Sequence, residues 1–229
     1  MFRSVLLSAL ALLAVNARVS ADFINYSLTV PNSALAPFPG PYATVNVNRT
    51  DTTHATITFT ATPQGGFIYR FGDGQSIDVN VGATSWSVSN LMITDPLSTG
   101  SLSDQGGGNV DGFGIMNQRF DNTNGGTNPF LSASFTLTDL SGTWANAGQV
   151  LQANSDGLLA AAHVFVYTSP TDTGAFATGF AANGGFTPPP PPPPPNVPEP
   201  ATVVTLATAV PMGLFALWRR RSTAKLLPV

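Results

Sequence analysis

"THATITFTAT", residues 53–62, alternates without a fault: Ala55, Ile57, Phe59 and Ala61 fall on one side, His54, Thr56, Thr58, Thr60 and Thr62 on the other. Successive side chains of an extended strand point to opposite faces, so a period of two marks a strand with one buried and one wet face. The pattern recurs along the chain. Ile24, Tyr26, Leu28 and Val30 alternate with Asn25, Ser27 and Thr29; Ile77, Val79 and Val81 alternate with Asp78 and Asn80. Trp86 and Val88 sit between serines, and Ala133, Phe135 and Leu137 between hydroxyl residues. Residues 161–167, AAHVFVY, are apolar on both faces, as a central strand requires.

Turn formers separate these runs: Pro63-Gln64-Gly65-Gly66, Gly72-Asp73-Gly74, Asp95-Pro96 and the glycine-rich stretch Gly100 to Gly108. The only hint of a 3.6-residue period is a short turn of helix around Asn154 to Ala162. Short strands with one wet face, spaced by turns, predict an all-β fold: an antiparallel β-sandwich or jelly-roll-like domain of about eight to ten strands.

Both ends of the 229-residue chain read as addressing segments. Met1-Phe2-Arg3 carries positive charge, Ser4 to Val15 is apolar, and Val19-Ser20-Ala21 places small residues before Asp22. That order predicts a signal peptide over 1–21, cleaved between Ala21 and Asp22. An apolar run of roughly 12 residues is too short to cross a bilayer.

The remaining body, residues 22–187, is long enough for one domain with a real core. It contains neither lysine nor glutamate; Arg49, Arg70 and Arg119 stand against 11 aspartates, a formal charge of −8. Such a surface repels phosphates and argues against a nucleic-acid partner. Cysteine is absent, which excludes disulfides, thiolate metal sites and a cysteine nucleophile.

Pro188 to Pro195 follow as eight consecutive prolines within a linker over 188–196. Polyproline II rises about 3.1 Å per residue, so they form a semi-rigid spacer of roughly 25 Å. Beyond it come Val197-Pro198-Glu199-Pro200, a mostly apolar segment over about 203–218, and Arg219-Arg220-Arg221. Basic residues stay on the cytoplasmic side of a membrane, which places the body on the outer side. The apolar segment is near the shortest length that spans a bilayer, a length suited to a temporary stop.

This ordered tail, Asn196 to Lys225, resembles the PEP-CTERM sorting signal of bacterial surface proteins. The resemblance carries Pro198, Glu199 and Pro200 as the sorting motif, with Val197 before it. It implies recognition by an exosortase, a membrane-embedded transpeptidase-like protease, in a Gram-negative-type bacterium that makes exopolysaccharide. It also implies a membrane-anchored stage followed by a cell-surface or extracellular-matrix destination. Leu226 to Val229 run past the basic cluster, a small departure from the pattern.

Candidate chemistry in the body is sparse. Glycoside hydrolysis generally uses two carboxyl groups flanking the bond, but the aspartates read as turn residues, Asp73, Asp111, Asp121 and Asp156 sitting beside glycine or asparagine, where they cap turns. Gly106 to Gly114 approximates one calcium-binding nonapeptide, with Asn109 in place of a glycine, and a single copy has no neighbour with which to share ions. Asp104, Asp111 and Asp121, with Asn124, are nevertheless the calcium candidates, since calcium accepts several flexible oxygen ligands. His54 and His163 lack the local spacing of a zinc site or a Ser-His-Asp triad and read as structural. Trp86, Trp144, Tyr42, Tyr69 and Phe113 are candidates for a platform against sugar rings, with core packing the competing assignment.

The sequence therefore predicts a non-enzymatic structural or adhesive protein of the envelope or exopolysaccharide matrix, with no cofactor other than a candidate calcium ion. A carbohydrate-binding module, with or without calcium, comes second. A small polysaccharide hydrolase or lyase comes third.

Overall fold

A computed structural model of the chain describes residues 22–94, 100–122 and 128–184. The chain divides into two units, Met1–Pro188 and Pro189–Val229, and every described residue belongs to the first. The expected signal peptide, proline spacer and sorting signal lie outside the described residues. No helix among those described is long and apolar enough to cross a membrane.

The body is all-β, with eleven strands that pair antiparallel throughout. The first five are β1 (Asp22–Pro31), β2 (Ala43–Arg49), β3 (His54–Ala61), β4 (Ile68–Phe71) and β5 (Ile77–Val79). They are followed by β6 (Trp86–Thr94), β7 (Leu102–Val110), β8 (Gly114–Asn122), β9 (Ser132–Asp139), β10 (Ala160–Tyr167) and β11 (Ala177–Asn183). One sheet contains them all, in the order β6-β9-β3-β2-β1-β11-β10-β5-β8-β7, with β4 on the same edge of β10 as β5.

The expected two-layer sandwich is thus a single sheet folded into a nearly closed barrel. Its layers are joined by the β1–β11 ladder, where the register shifts between Leu28 and Val30 and lets β1 turn the corner. The arms meet across the interior, where Phe120 of β8 packs on Phe135 of β9 at 4.5 Å between ring centroids, and Phe59 of β3 meets Phe71 of β4 edge-on. Between the outermost strands, β6 and β7, side chains bridge the seam: Trp86 Nε1 donates to Gln118 Oε1 at 3.0 Å, and Gln118 Nε2 donates to Asp104 Oδ1 at 2.7 Å.

The alternating runs behave as their period demands. Ala55, Ile57 and Phe59 are buried, as are Val45 and Val47 of β2 and Ala133, Phe135 and Leu137 of β9. At Gln64-Gly65-Gly66-Phe67 the chain reverses with positive φ at both glycines, the turn whose twist matches paired strands. β10 is paired on both edges and buried on both faces, as its doubly apolar sequence requires.

Three details depart from the sequence reading. The stretch read as a breaker, Gly100 to Gly108, contains most of β7, a strand interrupted by two register shifts at its glycines. The helical turn lies at Ala147–Gln149, as a short 3-10 helix, rather than around 154–162. There, Asn154 Oδ1 accepts from the backbone N–H groups of Asp156 and Leu158, Gly157 takes a φ of 80°, and a side-chain-closed turn replaces the helix. Finally, Asp78 and Asn80, expected on a wet face, are buried.

Candidate functional site

Asp22, the expected first residue of the mature chain, opens β1 with both carboxylate oxygens engaged. Oδ1 accepts from Arg49 Nε at 2.7 Å and Oδ2 from the Ala147 backbone N–H at 2.8 Å. Ala21, Val197 to Pro200 and Arg219 to Arg221 lie outside the described residues.

The calcium candidates are not brought together. Asp104 lies on β7, where its Oδ1 accepts from Gly106 N–H and from Gln118. Asp121 lies on β8, its Oδ1 accepting from Gln75 N–H at 2.6 Å. Asp111 is exposed in the turn between these strands, at the far end of the hairpin, and Asn124 is not described. Among the described residues, no three histidine, cysteine or acidic side chains group so as to hold a metal ion.

Both histidines have structural partners. His54 Nδ1 meets the Asp51 carboxylate at 2.9 Å, and Asp51 also accepts from the backbone N–H groups of Thr53 and His54, closing the β2–β3 turn. Those bonds, the Thr53 N–H first and the His54 ring next, bring the Asp51 pKa down to about 2. His163 stacks on Phe180 at 4.3 Å between centroids. Its Nδ1 lies 3.1 Å from the Gly74 carbonyl, which can only accept, so Nδ1 carries the proton and Nε2 receives the Thr178 hydroxyl at 2.7 Å. Burial lowers the imidazole pKa, against the opposing effects of the Gly74 bond, Asp73 and Asp111.

The aromatic platform is not assembled from the five expected rings. Tyr42, Tyr69, Phe113 and Trp144 are buried, while half-buried Trp86 packs on the core and turns its N–H to Gln118. A different aromatic group stands at the loop end of the barrel. Phe38, Phe67 and Phe176 come from the β1–β2, β3–β4 and β10–β11 connections and meet edge-on, at 5.2 Å and 6.1 Å from the central Phe38. Phe176 is 71% exposed. Prolines flank these loops, and single phenylalanines in irregular segments carry no period by which the sequence could group them.

A cavity of about 550 Å³ is lined by Gly82, Thr143, Trp144, Gln149, Gln152 and Leu159 among others, none of its lining residues ionisable. Such a lining supplies hydrogen bonds but no general acid or base from ionisable side chains. On the outward side of the sheet, Asp78 is fully buried, and neither carboxylate oxygen has a hydrogen-bond partner among the described residues. In the ladders it stands between Ala161 of β10 and Arg119 of β8. Burial raises its pKa well above the carboxylate range, Arg119 acts the other way, and Asp121 adds to the rise.

The scarcity of cations was the signal that could have found this pair. Each of the three body arginines faces an internal group: Arg49 pairs with Asp22, Arg70 lies 4.9 Å above the Tyr167 ring, and Arg119 is opposite Asp78.

Compared with known protein families, curated proteins and solved structures, the chain matches none.

Proposed function

We propose that the chain is an exported, surface-sorted structural or adhesive component of the cell envelope or exopolysaccharide matrix, carried as a non-enzymatic β-barrel-like domain on a proline stalk. The observation that carries this reading is the ordered tail: Val197-Pro198-Glu199-Pro200, the apolar segment over 203–218 and Arg219 to Arg221; in this proposal the apolar segment serves as a single sorting helix. The body supports it from the other side. Its aspartates 51, 104, 121, 139 and 172 accept hydrogen bonds from backbone N–H groups that shape turns and strand ends, and its histidines are held by structural partners. An exosortase-type protease is the expected processing partner, with membrane contact before processing and exopolysaccharide around the mature domain.

Replacing Pro198, Glu199 and Pro200 together by alanine tests this reading in the native host. The variant should remain in the membrane fraction while the parent chain reaches the surface. Equal surface display of both would overturn it.

A second reading, a carbohydrate-binding module, draws on the group of exposed Phe176 with the partly buried Phe38 and Phe67, since aromatic rings pack against the apolar faces of sugars. Under that reading Phe176→Ala reduces co-sedimentation with the host's own polysaccharide, without dependence on calcium. Undiminished co-sedimentation would remove this group as the binding surface.

A further inference from the structure

The β7–β8 hairpin, residues 102–122, occupies one end of the sheet, and β7 has no backbone ladder on its outer edge among the described residues. β8 joins the rest of the sheet through three pairs: Ile77 with Phe120, Asp78 with Arg119 and Val79 with Gln118. Side chains extend the attachment at either end, through Gln75 N–H to Asp121 and through Asn117 to Val81. The central pair of this short ladder thus contains a fully buried carboxyl group to which no donor bonds among the described residues.

Arg119 does not remedy this. Its side chain runs along the bare glycine backbone of β7, so close that a Cβ on Gly108 would lie 2.5 Å from Cζ, and its own Nε has no partner among the described residues. Beyond the pair, Val110, Phe113 and Met116 pack on Leu158, Ala161 and Ala182, a small apolar cluster separate from the main core.

We propose that Asp78 is a proton-controlled latch for the β7–β8 hairpin, which closes over the neutral carboxyl and loosens when that carboxyl carries charge. A buried carboxylate without donors is costly, so ionisation favours any arrangement that hydrates it. Moving β8 off β5 does so at the expense of three ladder pairs, the Asn122 N–H bond to the Asp73 carbonyl, the Gln75–Asp121 and Asn117–Val81 bonds and the packing of Phe120 on Phe135 in the main core, and it also uncovers the small apolar cluster. The charged groups that act on Asp78 are Arg119 and Asp121 on β8; His163 lies two residues along β10 from Ala161, the ladder partner of Asp78, and is itself faced by Asp73 in the β4–β5 connection and Asp111 in the hairpin turn. β7 adds Asp104, which is bonded to Gln118, and β11 presents Phe180 and Ala182.

Amide hydrogen exchange of the full chain between pH 5 and pH 8, corrected for intrinsic exchange rates, tests the latch. Protection of residues 114–122 should fall as pH rises, by about tenfold per pH unit between the open-state and closed-state pKa of the carboxyl. Protection in β2 and β3 should hold, and Asp78→Asn should flatten the dependence at the hairpin. The dependence should persist in His163→Gln. An unchanged slope in Asp78→Asn, a parallel loss in β2 and β3, or a slope abolished by His163→Gln would each overturn the proposal. Should Asp78→Asn fail to fold, the carbon-13 titration of the Asp78 carboxyl in the parent chain decides. A midpoint near the ordinary aspartate value of about 4 refutes the latch, and one well above it supports the latch.

Discussion

Asp51 and His163 show how the body uses ionisable side chains as turn and loop fasteners. Asp51→Ala removes a carboxylate that accepts from the Thr53 and His54 N–H groups, and stability at pH 7 should fall by about 1 kcal/mol. Because the folded carboxyl is depressed to about 2, its contribution is present above the unfolded value near 3.8 and is lost as pH falls through the folded one. Thermal melts should therefore show the gap between parent and Asp51→Ala closing from pH 4 to pH 2; a constant gap contradicts the assignment. His163 has the same sign at a higher pH. Its depressed imidazole contributes fully above the unfolded value of about 6.5 and less as pH falls below it. The acid-side decline in Tm beginning there should be smaller in His163→Gln, and an equal decline would show that other groups carry it.

Glycines divide by what surrounds them within each element. A Cβ on Gly82, just beyond β5, would stand 2.3 Å from the Gln149 carbonyl oxygen, at the point where Gly82 N–H donates to Val150. A Cβ on Gly74 would have nothing within 4 Å. Gly82→Ala should cost about 1–3 kcal/mol by forcing two backbone segments apart, whereas Gly74→Ala should stay within about 0.5 kcal/mol. Equal denaturant midpoints for the two variants would contradict the close approach.

The same elements show where the sequence was legible. In β3 and β9 the side-chain period alone identifies strand, face and depth, because burial there follows the alternation, and in β10 the doubly apolar run identifies a strand buried on both faces. β7 escaped because glycine has no side chain to declare a face; as an end strand it tolerates bulges that a central strand would not. Asp78 escaped because alternation assigns it to the outward face, and the packing of β8 beside that face is a long-range contact. The grouping of Phe38, Phe67 and Phe176 depends on three loops converging, for which no local period exists.

At the scale of the molecule, alternation specifies faces but not partners, so a two-sheet sandwich and one sheet folded on itself share the same strand signature. The β1–β11 ladder distinguishes them, placing the first and last strands of the body side by side. The interior and the loop end should respond differently to truncation. Phe135→Ala, in the fully packed centre, should cost about 3–5 kcal/mol in denaturant unfolding, while Phe176→Ala, at an exposed tip, should change stability by less than about 0.5 kcal/mol. Similar losses for both would mean that the loop aromatics belong to the core.

Asp22 links this architecture to the proposed export. The residue that signal cleavage would expose begins β1 and binds Arg49 and the Ala147 N–H, so a body starting at Asp22 retains each of these fastenings. The most direct test of surface sorting is mass spectrometry of the termini of protein shed from intact cells. The account predicts a chain that begins at Asp22, ends near Val197 to Thr202 and lacks Arg219 to Arg221. A surface pool that begins at Met1, or that retains the arginine cluster, would contradict it.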